Sequence, residues 1–369
     1  MKNICMLVLA FYSLSAYSQL TRIADGGNKK SWVGERIGIT DVTIRYDRPA
    51  VKGREGKIWG QLVHTGFTDL GFGTSKASPW RAGANQNTTI EFSTDVKVEG
   101  RPLAAGKYGL FIAYDPNEST LIFSKNNTSW GSYFYKDKED ALRVKVKPVA
   151  LDKSVEWLKY EFQDPTENST TIALEWEKLK IPFKVEVDYV NTQLESFRKE
   201  LSGELAFNPG WQSWQQAARF ALERNVELEE ALQWADNSIS MPFIGDANFV
   251  TLSTKADILV KMGRNAEADS IMKKALPIGN MNQIHQYGRQ LLIQKRTKDA
   301  LEVFKLNHTK NPNQFTTLMG MTRGYSASGD FKNALKYAKL ALPLAPNAPN
   351  KNMLEEGIKK LEAGKDLNL

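Results

Sequence analysis

Cysteine and histidine are nearly missing from this sequence of 369 residues, which holds one cysteine and three histidines. The cysteine, Cys5, lies in an N-terminal segment that we expect to be removed, so the mature chain would carry none. A chain without cysteine has no disulfides, no thiol nucleophile, no iron–sulfur cluster and no zinc site built on thiolates. None of the histidines belongs to a paired motif of the His-Glu-x-x-His type. The sequence therefore predicts no metal site and no cofactor.

A strong charge of one sign and a long apolar run are missing as well. The 49 basic and 42 acidic residues leave a formal net charge of +7, and both halves of the chain share the excess. A nucleic-acid surface needs a concentrated basic field, so we expect no nucleic acid as a partner. A helix that spans a bilayer needs about 20 consecutive apolar residues. Because the sequence has no such run, we predict no transmembrane segment.

The first residues have the three parts of a secretory signal peptide. Lys2 supplies a positive start, Ile4 to Phe11 is apolar, and Ala16-Tyr17-Ser18 has small residues at the cleavage positions. We therefore expect residues 1–18 to be a signal peptide that is cleaved near Ser18, and the mature protein to be exported to the periplasm or beyond the cell.

From about Arg36 to Asp188 the sequence consists of short alternating apolar and polar stretches separated by turn signals such as Glu99-Gly100-Arg101-Pro102. About eight or nine such stretches follow one another at intervals of roughly ten residues. That spacing is typical of an antiparallel β-sandwich or jelly roll. We predict a β-sandwich domain over residues 19–188.

After Tyr189 the apolar period becomes helical, and small residues and prolines recur at a fixed distance. Ala334 follows Ala300, and Pro346 follows Pro312, at the tetratricopeptide period of about 34 residues. This pattern resembles the tetratricopeptide repeat, a helical hairpin whose small residues let two helices approach closely and whose proline ends the second helix. Two clear copies follow two degenerate ones.

The domain prediction follows from this change of period. We expect residues 189–210 to be a linker and first helix, and residues 211–369 to be tetratricopeptide-like repeats with a closing helix. The predicted fold class is multidomain, all-β plus all-α: an antiparallel β-sandwich followed by a tetratricopeptide-like α-solenoid.

One group of motifs in the first domain is far more distinctive than its surroundings. It comprises Arg48–Arg54 (RPAVKGR), Lys57–Val63 (KIWGQLV), Trp80–Ile90 (WRAGANQNTTI), Gly106–Phe111 (GKYGLF) and Trp130-Gly131. These motifs resemble a bacterial exported family catalogued as domain of unknown function 2911, over about residues 19–187. The resemblance implies no established reaction. The sequence departs from the family at residues 64–79, a longer loop where members usually have a short turn.

Trp80, Arg81 and Asn85 form the best candidate ligand site in this domain. An arginine beside an indole can hold a carboxylate or a sugar edge, and an amide can complete the cleft. The alternative is structural: Trp80 fills the core, Arg81 pairs with a buried carboxylate, and Asn85 belongs to a tight turn. We favour the structural interpretation.

Two further features carry weaker hypotheses. Lys52 and Arg54 flank a glycine and could bind an anion, although such a pair is more often a solvated turn. The aromatic segment Trp130–Tyr135 would suit glycan stacking, although packing between strands is the commoner role.

The leading functional hypothesis is an exported, non-catalytic binding or scaffold protein whose helical repeats bind a peptide or protein partner. The residues that we expect to line its groove are Asn282, His285, Arg289 and Arg323. The alternative is an envelope glycan-binding module or hydrolase with its site around Trp80, Arg81 and Asn85. The two hypotheses differ in whether a pocket opens at those three residues, and the oligomeric state stays open.

Overall fold

The computed structural model describes residues 27–368, so the predicted signal peptide, Met1–Ser18, lies outside the described residues. The chain forms two compact units, with the boundary between Gln193 and Leu194. Within the described residues, no helix is long and apolar enough to cross a membrane.

The described part of the first unit contains ten strands in two antiparallel sheets. The strands are β1 (Lys29–Ile37), β2 (Thr40–Arg48), β3 (Thr88–Phe92), β4 (Val96–Val98), β5 (Arg101–Leu103), β6 (Gly106–Ala113), β7 (Ser119–Ser124), β8 (Asp140–Val146), β9 (Val149–Gln163) and β10 (Ser169–Glu186). One sheet has six strands in the order β1-β2-β3-β6-β7-β8, and the other has four in the order β5-β4-β10-β9.

Alternation along each strand sends one set of side chains into a single core between the sheets. On β2, Ile44 and Tyr46 point inward, and β10 contributes Trp176 and Phe183 to the same cluster of buried residues. Because side chains alternate with a period of two, the residues between them point outward, as Arg45 does. The predicted antiparallel β-sandwich is confirmed.

Two details of the strands differ from the prediction. The sandwich begins at Lys29 rather than near Arg36, because β1 pairs with β2 as an edge strand whose mostly exposed side chains give little apolar alternation. The last two strands are long, at 15 and 18 residues, where the sequence indicated several short ones. Register shifts on either side of Glu177 interrupt the alternation there, so one strand resembles two in the sequence.

The second unit consists of helices, and α1 begins in the residues that precede the boundary. The helices are α1 (Tyr189–Leu201), α2 (Trp211–Arg224), α3 (Leu228–Ser240), α4 (Phe249–Lys261), α5 (Asn265–Ala275), α6 (Met281–Ile293), α7 (Thr297–Lys310), α8 (Phe315–Ala327), α9 (Phe331–Ala341) and α10 (Ala348–Glu362). Four hairpins form from α2 to α9, each of two consecutive helices, and α10 packs on α9. The predicted helical repeats after the β-sandwich are confirmed.

Small residues make room for one large side chain between the last two hairpins. Phe304 of α7 is fully buried, and a Cβ added at Gly288 of α6 would lie 2.4 Å from its ring. A Cβ at Gly320 of α8 would lie 2.7 Å from the same ring. Glycine at both positions therefore lets α6, α7 and α8 approach one another around Phe304.

The turn between the two helices of a hairpin keeps the same backbone conformation in the last two copies, although its residue changes. Gly329, in the turn before α9, has a φ of 79°, which costs glycine nothing. Lys295, at the equivalent position of the preceding hairpin, adopts the same left-handed conformation with a φ of 60°. The backbone repeats although the residue does not, and this weakens the sequence signal.

Candidate functional site

Trp80 is a core residue. Its side chain is 8% exposed and stacks at 6.2 Å on Trp176, while Trp59 meets it edge-on at 5.6 Å. The indole N–H donates to the carbonyl of Gly83 at 3.1 Å, which satisfies its polar atom. Since both the ring and the N–H are engaged inside the sandwich, Trp80 offers no face to a ligand.

Arg81 leaves the core and lies against aromatic rings. Its guanidinium carbon is 5.2 Å from the ring centre of Trp130 and 5.7 Å from that of Tyr133. Its Nη1 donates to the carbonyl of Asn85 at 2.8 Å. The predicted ion pair with a buried carboxylate is wrong, because no carboxylate within residues 27–368 pairs with Arg81. The faces of two rings and a carbonyl attract the cation instead.

Asn85 holds the turn between these elements. It adopts a φ of 52°, in the left-handed region that asparagine tolerates well. Its carbonyl accepts hydrogen bonds from Arg81 and from the backbone N–H of Gly131 at 3.1 Å, and its Oδ1 accepts from Asn28 at 3.3 Å. Asn85 therefore ties the strand entry to the aromatic segment.

Lys52 and Arg54 lie in one loop, but the arginine is used by the loop itself. The Arg54 guanidinium donates from Nε to the carbonyl of Val51 at 2.9 Å and from Nη2 to that of Ala50 at 2.6 Å. The backbone N–H of Lys52 donates to Glu156 at 3.0 Å. These contacts close the turn and do not build an anion cradle.

An exposed aromatic surface borders Arg81. Phe72, Trp130 and Phe134 are 64%, 55% and 51% exposed. The ring of Tyr133 lies 5.3 Å from that of Phe72 and 6.0 Å from that of Trp130, and the rings of Phe72 and Phe134 are 6.1 Å apart. Phe72 lies in the long loop of residues 64–79. That loop is fixed to the segment because Thr74 and Ser75 donate backbone hydrogen bonds to the carbonyl of Tyr133, at 3.0 and 2.9 Å.

In the helical unit, the structure brings the predicted groove residues onto two neighbouring helices. Asn282, His285 and Arg289 follow one another along α6 at spacings of three and four residues, so they share one face of that helix. Arg323 lies on α8, which packs against α6. We call this set of four residues the α6–α8 face.

The α6–α8 face is electrostatically unfavourable for a further positive charge. His285 is 9% exposed, and burial together with the charges of Arg323 and Arg289 lowers its pKa to about 4. Burial and the charge of Arg289 also lower the pKa of Arg323. Exposed Arg289 forms no ion pair with any carboxylate of residues 27–368. The positive charge of Arg289 on this face is therefore not compensated by any anion among the described residues.

Residues 366–368 lie beside this face, a feature that the sequence did not reveal. The Ser326 hydroxyl on α8 donates to Asp366 at 2.6 Å and accepts from the backbone N–H of Leu367 at 2.9 Å. The Asn368 side chain donates to the carbonyl of Arg323 at 3.0 Å. The negative charge of Asp366 raises the pKa of Arg323, whereas burial and the charge of Arg289 lower it and have the larger effect.

No metal centre competes with these sites in the part of the chain that the structure describes. Residues 27–368 contain no group of three or more histidine, aspartate or glutamate side chains arranged to hold an ion.

One known family is similar to most of the first unit. Residues 28–185 match the family described as "Protein of unknown function (DUF2911)", so the predicted resemblance is confirmed. No curated protein matches the chain.

Several solved structures resemble the helical part. YrrB, described as a TPR protein with an unusual peptide-binding site, is 17% identical, and the match covers 48% of this chain and 88% of that chain at a TM-score of 0.31. The C-terminal part of a TPR repeat-containing protein from Cytophaga hutchinsonii is 14% identical, over 47% of this chain and 67% of that chain, with a TM-score of 0.37. MamA from Desulfovibrio magneticus RS-1 is 16% identical, over 42% and 93%, with a TM-score of 0.29.

Proposed function

We propose that this protein is an exported, non-catalytic binding scaffold in which a β-sandwich is joined to helical repeats. Its α6–α8 face binds an acidic peptide or an acidic segment of a protein partner. The proposed export rests on the leader-like residues Met1 to Ser18, and the proposed binding rests on the helical unit.

The observation that supports the binding proposal is the pair Arg289 and Arg323. They lie one repeat period apart, at equivalent positions of successive hairpins on α6 and α8. Their charges are close enough that Arg289 lowers the pKa of Arg323. A periodic pair of arginines presents two guanidinium groups along one face, and each group can hold a carboxylate through two parallel hydrogen bonds.

A bound carboxylate would relieve the repulsion that the unliganded face contains. Arg323 is half-buried, so its repulsion by exposed Arg289 is screened less than repulsion between two charges in water, because the local dielectric constant is lower. An acidic partner replaces this repulsion by attraction, whereas a basic partner would add to it. The charges of the face therefore determine the sign of the partner's charge, but they do not determine the partner's sequence.

A direct test measures fluorescence anisotropy with a labelled octapeptide of alternating glutamate and leucine and with its glutamine counterpart. We expect the full-length mature chain to bind the glutamate peptide at least tenfold more tightly, with an affinity that falls as salt is raised. The variants R289Q and R323Q should each lower that affinity about tenfold, since a hydrogen bond to a charged group contributes about 1.5–3 kcal/mol.

The matched control is R264Q, which removes the arginine that precedes α5 and pairs with Glu267 in the first turn of that helix. It should leave binding unchanged. Equal binding of the two peptides, or equal losses in R264Q and R289Q, would contradict the proposed face.

Export is tested separately by N-terminal sequencing of the protein recovered from outside the cytoplasm of its host. We expect the sequence to begin at or next to Gln19. A secreted protein that retains Met1 would contradict the predicted cleavage, and a protein found only inside the cytoplasm would contradict export. Neither outcome affects the binding test.

A further inference from the structure

A cleft of about 450 Å³ opens on the outer face of the six-stranded sheet, away from the core of the sandwich. The pairing of β1 with β2 builds its floor. Lys30 lies opposite Asp47, and Trp32 lies opposite Arg45. All four residues line the cleft, together with Lys107 from β6.

One wall of the cleft lies close against the sheet because a residue of the sheet beneath it has no side chain. Gly109 of β6 pairs with Thr89, and a Cβ added there would lie 2.2 Å from the carbonyl oxygen of Asn126. The same Cβ would lie 2.5 Å from Nδ2 of Asn87. Glycine at this position thus allows the segment that follows Asn126 to cross the strand, and Asn127, Thr128 and Ser129 of that segment face the cleft.

Asp47 is the unusual residue of the cleft. It is 2% exposed, and its Oδ1 has no hydrogen-bond partner within the described residues. Burial raises the pKa of its carboxyl, against the lowering effects of Lys30 and the backbone N–H of Gln86. A buried acceptor without a donor costs free energy, because it has lost its hydrogen bonds to water. A ligand that donates a hydrogen bond to Oδ1 would recover this cost.

The surroundings of Asp47 determine what kind of donor fits. Lys30, Arg45 and Lys107 line the same cleft, and the side chains of Arg45 and Lys107 form no ion pair within residues 27–368. Three cations repel an ammonium group, so a neutral hydroxyl is the better donor. The two unpaired cations are available for an acidic group on the same ligand.

Trp32 supplies a flat apolar face at the edge of the cleft. Its indole is 69% exposed, although an indole buries a large area when it packs. A sugar ring combines an apolar face that stacks on such an indole with hydroxyls at its rim. The combination of a stacking face, a hydroxyl acceptor and unpaired cations is matched by a sugar that carries a carboxylate.

We propose that this cleft binds an acidic saccharide, with a sugar ring stacked on Trp32, a hydroxyl that donates to Asp47, and a carboxylate held by Arg45 and Lys107. The site is separate from the α6–α8 face, and it does not depend on the proposed peptide binding.

The test is isothermal titration of the mature full-length chain with trimers of galacturonic, glucuronic and mannuronic acid, and with the methyl ester of each trimer. We expect at least one free acid to bind, and its methyl ester to bind at least tenfold more weakly. W32A should weaken binding of that acid at least tenfold. R45Q should weaken binding of the acid and leave that of the ester almost unchanged.

The matched control is W130A, because Trp130 is also an exposed indole of this unit, at 55%, but does not line the cleft. It should bind like the wild type. D47N, which keeps the shape of the side chain, should weaken binding without changing the circular dichroism spectrum. Failure of all three acids to bind, ester binding as tight as acid binding, or equal losses in W32A and W130A would each overturn the proposal.

Discussion

The two units bring their candidate binding residues together by different structural rules. In the helical unit, Arg289 and Arg323 meet because one hairpin repeats the previous one at a fixed period. In the β unit, Lys30 meets Asp47, and Trp32 meets Arg45, because two strands pair in one particular register. A repeat places equivalent positions side by side, so its surface can be predicted from the sequence. A sheet places unrelated positions side by side, so its surface depends on the register of its strands.

Their cores differ in the same sense. The sandwich core contains large aromatic side chains from distant parts of the chain, with Trp176 of β10 in contact with Trp59 and Trp80 of the connection between β2 and β3. The helical hairpins are filled by alanine and glycine around a few large residues such as Phe304. Truncation should therefore damage the first unit most, whereas enlargement should damage the second.

The largest effect is expected for W176A in the sandwich. Trp176 is 1% exposed, and removal of a buried tryptophan typically costs about 3–5 kcal/mol of unfolding free energy. Calorimetry of the full chain should show a large fall in the midpoint temperature of the sandwich transition. The midpoint temperature of the helical unit should not change. W32A, on the exposed indole, should change stability by less than about 0.5 kcal/mol. A single transition that shifts as a whole in W176A would contradict independent cores.

A pH titration of stability should single out the helical unit through His285. Its folded pKa of about 4 lies below the ordinary value of 6.5, so the unfolded chain takes up the proton first as pH falls. The unfolding free energy is therefore full above pH 6.5 and is lost progressively down to about pH 4, by about 3 kcal/mol.

H285L removes the titrating group and should flatten this part of the profile. Urea unfolding, followed by the helical circular dichroism signal between about pH 7.5 and about pH 4, measures the difference between the variant and the wild type. Parallel profiles for the two proteins would show that His285 does not titrate in this range.

Enlargement of a small residue tests the helical core. Ala334 of α9 is fully buried, and overpacking such a position costs about 1–3 kcal/mol. A334L should therefore lower the melting temperature of the helical unit. A266L places the same side chain at an exposed position of α5 and should have little effect. Equal melting temperatures for A334L and the wild type would show that α8 and α9 can separate without cost.

The comparison also explains how far the sequence could be interpreted. The tetratricopeptide period indicated the last two hairpins and the neighbourhood of Arg289 and Arg323, because helical repeats make sequence distance and spatial distance correspond. The core position of Trp80 followed from its apolar character. The aromatic partners of Arg81 and the cleft around Asp47 could not be predicted, since both depend on contacts between segments whose register no local pattern encodes.

The smallest effect concerns Arg81, where the structure replaces a predicted buried ion pair by contacts with two rings and a carbonyl. A cation over an aromatic ring contributes about 0.5–1 kcal/mol at a partly exposed site, so R81A should lower the unfolding free energy by about 1 kcal/mol. R81K keeps a cation near Trp130 and Tyr133 but loses the planar fork, so it should restore about half of the loss. R45A, which removes an exposed arginine of the same unit, is the control and should stay within about 0.5 kcal/mol of the wild type in urea unfolding. A loss of about 3–5 kcal/mol in R81A would instead indicate that a buried carboxylate had lost its ion-pair partner. The ring contacts of Arg81 would then contribute little to stability.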